Sequence, residues 1–190
     1  MTAHSLKASS IALLSLSFAL LIDATFITIR EVDFKNNADY AKVFIVLRNG
    51  TDQLRGNTMV DIDALVFQNI SDGLQVRIDL ASKIGADYVT MLDSSVDVCS
   101  LNTSATDGML MELMVSEMNK YGNISISCPF NSGNYMARNF HIDTDNMLIK
   151  FAPPGDYRVG IDVKHKTDGS SIAIPIFDME FYATIAGGSE

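Results

Sequence analysis

The sequence lacks the basic excess that a nucleic-acid binder carries. Fourteen Lys and Arg face 23 Asp and Glu, leaving a net charge of −9. The cations are scattered singly among acidic residues, so no basic stripe can follow a phosphate backbone. Anionic lipid headgroups are equally poor partners for such a surface. Long apolar runs are also missing. The most apolar stretch, "IALLSLSFALLI" from Ile11 to Ile22, contains Ser15 and Ser17 and is only twelve residues long. That is short of the roughly 20 residues that span a bilayer, so no integral membrane helix is expected. Catalytic signatures are absent too: there is no G-x-S-x-G elbow, P-loop or H-E-x-x-H pair. The two cysteines, with His141 and His165, are too few and too dispersed for a zinc site. These absences point to a non-enzymatic protein without a cofactor or metal.

Two polar features could still carry chemistry. Asp61 and Asp63 lie two apart on a strand-like run and share one face. Such a pair could perform acid–base work or hold calcium, or it could be the solvated side of a half-buried strand. His141 has no Ser or Cys partner in its vicinity, and a surface or hydrogen-bonded strand histidine is the default.

What the chain does contain begins with a leader-like N-terminus. Lys7 and His4 precede the apolar run, and Asp23-Ala24 follow it. Residues 1–24 therefore read as a signal peptide, with a buried N-terminal helix as the alternative. Residues 25–190 are expected to form one secreted, extracellular domain of ordinary size.

From residue 26 the apolar residues recur with period two, the pattern of strands with one buried face. "FITIREVDF" changes phase at Arg30-Glu31. "AKVFIVLRNG" ends on the turn pair Asn49-Gly50. Residues 58–67 and 74–82 alternate cleanly around "QNISDG", and Asp72-Gly73 predicts a hairpin joining them. A further strand runs from about Tyr88 to Cys99, bent near Asp93-Ser94-Ser95. After Cys128 come "NYMARNFHI", "MLIKF", and an alternating run at Tyr157, Val159, Ile161 and Val163. The last strand starts with Ile172, Ile174 and Ile176 inward, then changes phase beside Pro175. Eight or nine short strands predict a mainly β, two-sheet sandwich.

One segment breaks the β pattern. Between Cys99 and Cys128, residues 107–121 place Leu110, Met111, Met114, Val115, Met118 and Tyr121 on one helical face. Gly122 would end this inserted amphipathic helix. A methionine-rich face is pliable enough to wall a hydrophobic ligand site, and Leu110, Met111, Met114 and Met118 are the candidate wall residues. The same stripe could equally be ordinary core. In an oxidising compartment the two cysteines most simply form one disulfide, Cys99–Cys128. Four N-x-[ST] sequons, at Asn49, Asn69, Asn102 and Asn123, fall at turns or element boundaries and are candidate glycosylation sites.

Taken together, "DVCSLN", "YGNISISCPF", "GNYMARNF" and "PPGDYRVGIDV" resemble the insect chemosensory-B-like (CheB-like) secreted proteins. These are related to ML (MD-2-related lipid-recognition) domains and the ganglioside activator, and the resemblance covers roughly residues 60–185. It implies an immunoglobulin-like cup whose sheets splay to admit a lipid or long-chain hydrocarbon. It further implies a role in pheromone or gustatory response, beside a receptor or sodium channel of a sensory neuron. Two hypotheses follow: a soluble carrier of a hydrophobic small molecule or lipid, or an extracellular accessory module of a receptor or channel with no cavity of its own. A seminal or innate-immune role on the same cup is a third. ML-type domains usually carry more than one disulfide, whereas this chain can form only one.

Overall fold

The computed structural model describes residues 26–51, 56–100, 115–124, 128–143, 149, 152–167 and 171–187. The expected leader at 1–24 lies outside them. Eight strands are described: β1 (Phe26–Asn36), β2 (Ala41–Asn49), β3 (Thr58–Val66), β4 (Leu74–Ile84), β5 (Asp87–Asp97), β6 (Gly133–Phe140), β7 (Gly155–His165) and β8 (Ile174–Ala186). They form two antiparallel sheets, a five-stranded one in the order β1-β8-β7-β4-β5 and a three-stranded one in the order β2-β3-β6. The expected sandwich is therefore present.

The phase changes read from the sequence are β-bulges. Arg30 is the extra residue between the Ile29–Ala183 and Glu31–Tyr182 pairs. It lets Ile27 and Ile29 face the core before the bulge and Val32 after it. In β8 the extra residue is Ile176, beside Pro175, which has no N–H for the ladder. Ile176 and Met179 are buried there, but Ile172 and Ile174 are exposed rather than inward.

Three expectations about connections need correction. Strands β3 and β4 do not form a hairpin, because they belong to different sheets. The link between them buries Ile70, which pairs with Phe130 through reciprocal backbone hydrogen bonds of 2.8 Å. A hairpin loop would leave that isoleucine in water, whereas a crossover inserts it between the sheets. Strand β4 instead turns back at Gly85, φ 66°, into β5. The irregularity in β5 falls at Met91, not at Asp93-Ser94-Ser95, which stay in register opposite β4. The expected "MLIKF" strand also fails at its one described residue, since Ile149 is helical and its carbonyl accepts from Ala152 N–H. The turn foreseen at Asp168-Gly169 lies outside the described residues.

The core splits into two clusters. One surrounds Ile27, Ile29, Val60, Ile62, Tyr157 and Ile185. At this end the sheets are stitched together: Ile29 N–H donates to the Thr58 hydroxyl at 2.9 Å, and that hydroxyl reaches the Ile29 carbonyl at 3.3 Å. Thr58 is the one buried polar residue among those described, and both its partners belong to the edge strand β1. The second cluster surrounds Ile70, Leu74, Val76, Ile78 and Val163.

Candidate functional site

A cavity of about 140 Å³ lies between the sheets. Every buried member of the second cluster except Val98 lines it, but Ile62 alone does so among the buried residues of the first cluster. The sandwich is thus filled at its stitched end and hollow at the other. The cause is local. Strand alternation sends the small Ala41 and Ala64 inward on the three-stranded sheet, and they line the cavity together with Ile78, Ile161 and Val163 of the five-stranded sheet. Phe34 lines the cavity yet is 42% exposed, which marks where it meets solvent.

All the lining residues are aliphatic, aromatic or thioether side chains. Two of them are tyrosines, and both hydroxyls already have partners. Tyr135 donates to the Asn131 carbonyl at 2.7 Å, and Tyr40 lies 3.4 Å from His165 Nδ1. The cavity therefore offers burial and dispersion contacts to a ligand rather than directional polar contacts. A cavity of this size and lining takes a benzene-sized body, about six carbons.

The inserted helix supplies part of the wall. Residues 115–119 are helical, so the helix ends two residues before the expected boundary at 121. Met118, one of the candidate wall residues, lines the cavity with Val115 and Ile124. Leu110, Met111 and Met114 lie outside the described residues, as does the rest of the expected helix. Gly122 does not cap the helix in the left-handed region. It pairs with Ala137 on β6, and an added Cβ would meet the Met136 carbonyl oxygen at 1.7 Å. Glycine is there because two backbones touch.

Cys99 and Cys128 form the expected disulfide, with Cα atoms 5.2 Å apart. Cys99 sits in a 3-10 turn, Val98–Ser100, directly after β5, and Cys128 precedes β6. The bond therefore joins the two sheets beside the cavity rather than merely closing the helical excursion. Asn49, Asn69 and Asn123 are exposed. Asn102 lies outside the described residues.

The remaining candidates have structural partners. Asp61 accepts from Asn139 N–H at 2.8 Å and pairs with Arg48 at 2.7 Å, while Asp63 pairs with Arg138. The Asn139 amide and the Arg48 guanidinium hold the Asp61 carboxyl below the usual range. Both aspartates lie on the outer face, as the strand alternation predicted. His141 hydrogen-bonds to the Asn139 carbonyl through Nδ1 and lies 3.3 Å from the Tyr121 hydroxyl through Nε2. The Tyr121 ring packs edge-on against Phe140 and His141, anchoring the end of the wall helix to β6.

Sequence reasoning assigned the site to the helix and missed the strand residues that form most of it. Their only signal was the period-two alternation, which is identical for a filled core and a hollow one. Tyr157 was likewise read only as an alternating strand residue. Its buried hydroxyl donates to the Pro153 carbonyl at 2.6 Å, fixing the chain where Pro153-Pro154-Gly155 enters β7.

The fold and site define an antiparallel two-sheet sandwich with an apolar inter-sheet cavity and a cross-sheet disulfide. The family described as "Protein of unknown function (DUF1091)", a domain associated with ML-like and insect proteins, matches residues 76–159. The match holds most of β4, all of β5 and β6, both cysteines and the start of β7. No curated protein matches the chain. No helix among the described residues is long and apolar enough to cross a membrane.

Proposed function

We propose that this chain is a secreted, non-enzymatic binding protein that encloses a lipid or hydrocarbon chain between its sheets. The observation that carries the reading is the apolar cavity at the hollow end of the sandwich. Nothing in its lining competes for water, so apolar burial, about 0.8 kcal/mol per methylene, is the driving force. A six-carbon segment gains about 5 kcal/mol before the costs of association, which corresponds to weak binding near the millimolar range. Micromolar retention of a long chain then requires the sheets to part further, as in the ML-like cup of the CheB-like proteins that the sequence resembles. On that resemblance the ligand belongs to pheromone or gustatory sensing.

A second reading, an extracellular accessory module of a receptor or channel, draws on the opposite surface. Phe44, Val46, Leu65 and Met136 are each at least 40% exposed and share the outer face of the three-stranded sheet. The two readings are separated by purifying the protein from an animal-cell secretion system and extracting it for lipid mass spectrometry. A stoichiometric lipid, or displacement of a fluorescent fatty probe, supports the carrier. An empty protein that ignores a hydrocarbon panel but binds a membrane receptor overturns it.

A further inference from the structure

The three described sequon asparagines are exposed, but their side chains are engaged differently. The Asn49 side chain makes no hydrogen bond to the described residues, and Thr51 of its sequon is also exposed. Asn69 accepts one bond through Oδ1, from Ser132 N–H at 2.6 Å, and its Nδ2 has no partner among the described residues. Asn123 uses both ends of its amide on one strand. Its Oδ1 accepts from Met136 N–H at 2.6 Å, and its Nδ2 donates to the Asn134 carbonyl at 3.0 Å.

That two-pronged contact covers an edge. Strand β6 is the outermost strand of the three-stranded sheet, and residues 121–123 run beside it: Asn123 N–H donates to the Met136 carbonyl, and Arg138 N–H to the Tyr121 carbonyl. The Asn123 side chain prolongs this pairing by one more pair of bonds, satisfying edge groups that would otherwise face water or another chain. It also secures the end of the segment that carries the wall residues Met118 and Ile124.

The stereochemistry of an N-linked glycan conflicts with this clamp. When a primary amide grips a strand with its oxygen and nitrogen together, the hydrogen it donates is the one on the same side as its oxygen. An N-glycosidic bond converts the group to a secondary amide, whose trans preference places the sugar carbon at that hydrogen's position. The remaining hydrogen points away from Asn134. The clamp and a glycan at Asn123 are therefore mutually exclusive, whereas a glycan at Asn49 displaces nothing and one at Asn69 leaves the Oδ1 bond intact.

We propose that Asn49 and Asn69 are glycan acceptors in the folded secreted protein, and that Asn123 is an unmodified β-edge clamp despite its sequon. A glycan added to Asn123 during synthesis would prevent the clamp from closing, so such chains drop out of the folded population. The test uses the full chain directed into the secretory pathway of cultured animal cells by an added leader. Glycopeptide mapping of the secreted protein should find glycan at Asn49 and Asn69 and a bare Asn123. On gels, Asn49→Gln should remove one glycan's shift, whereas Ser125→Ala, which destroys the sequon but keeps the amide, should change nothing. Asn123→Ala should lower the unfolding midpoint and Ser125→Ala should not. A glycan at Asn123 in folded, secreted protein, or loss of a glycan in Ser125→Ala, overturns the clamp assignment. A bare Asn49 or Asn69 overturns the acceptor assignment.

Discussion

Ala64→Leu is the sharpest test of the hollow half-core. Ala64 lies on the middle strand of the three-stranded sheet, between Val43 and Tyr135, and lines the cavity. Leucine there adds three carbons to space that is otherwise unfilled. At about 24 cal/mol per Å³, a cavity of about 140 Å³ costs about 3 kcal/mol of forgone packing, so there is stability to recover. Three methylene equivalents give about 2.4 kcal/mol as an upper value, and rotamer constraints will reduce it. The same carbons occupy about half of the room available to a six-carbon ligand. Affinity for n-hexane or benzene, read as ligand-dependent elevation of the unfolding midpoint, should fall by about fifty-fold for a loss of about 2.4 kcal/mol. The variant should thus gain stability in urea while losing ligand response. Destabilisation by more than about 1 kcal/mol would mean that the site is already packed. An unchanged ligand response in a stabilised protein would place the ligand elsewhere.

Removing the disulfide by a Cys99→Ala/Cys128→Ala double substitution should cost about 3.6 kcal/mol on the chain-entropy model for a sequence separation of 29, measured by urea unfolding. Gly122→Ala should cost about 2 kcal/mol or more, because its Cβ would collide with backbone, and it should weaken the wall helix attachment. Gly85→Ala, with open space but φ 66°, should cost only about 1 kcal/mol in the same assay. Acid sensitivity should appear late. The carboxyls of Asp61, Asp93 and Asp156 lie below their unfolded values because of, respectively, the Asn139 amide, the Arg77 guanidinium and the Thr184 hydroxyl. Their stabilisation is complete above the unfolded carboxylate range and is lost as pH falls through the depressed folded values. A stability profile should therefore stay flat toward pH 5 and decline below about pH 4. At the alkaline end, Tyr182 is pushed up to about 12, chiefly by its hydrogen bond to Glu180. Its contribution is complete below the unfolded value near 10 and is lost as pH rises through 12, which a Tyr182→Phe profile should lack.

The sequence by itself determined the eight strands and most of their buried faces, with the phase changes beside Arg30-Glu31 and Pro175, but not the break in β5, the exposure of Ile172 and Ile174, or the helical state of Ile149. The properties it did determine follow from period-two chemistry and from single residues such as Pro175, so they are written locally. It also determined the disulfide, since the chain has only two cysteines, and the polar role of Asp61 and Asp63. Sheet membership was not local. "QNISDG" reads as a hairpin loop until Ile70 is seen paired with Phe130, a partner 60 residues along the chain. The cavity was beyond sequence pattern for the same reason. Ala41, Ala64, Ile78 and Val163 each look like core residues, and only the spacing of two sheets decides whether opposite side chains meet. Met118 could be placed on the correct face of its helix from periodicity alone. That Met118 borders a hollow, with the disulfide tying the sheets beside it, was decided by tertiary packing.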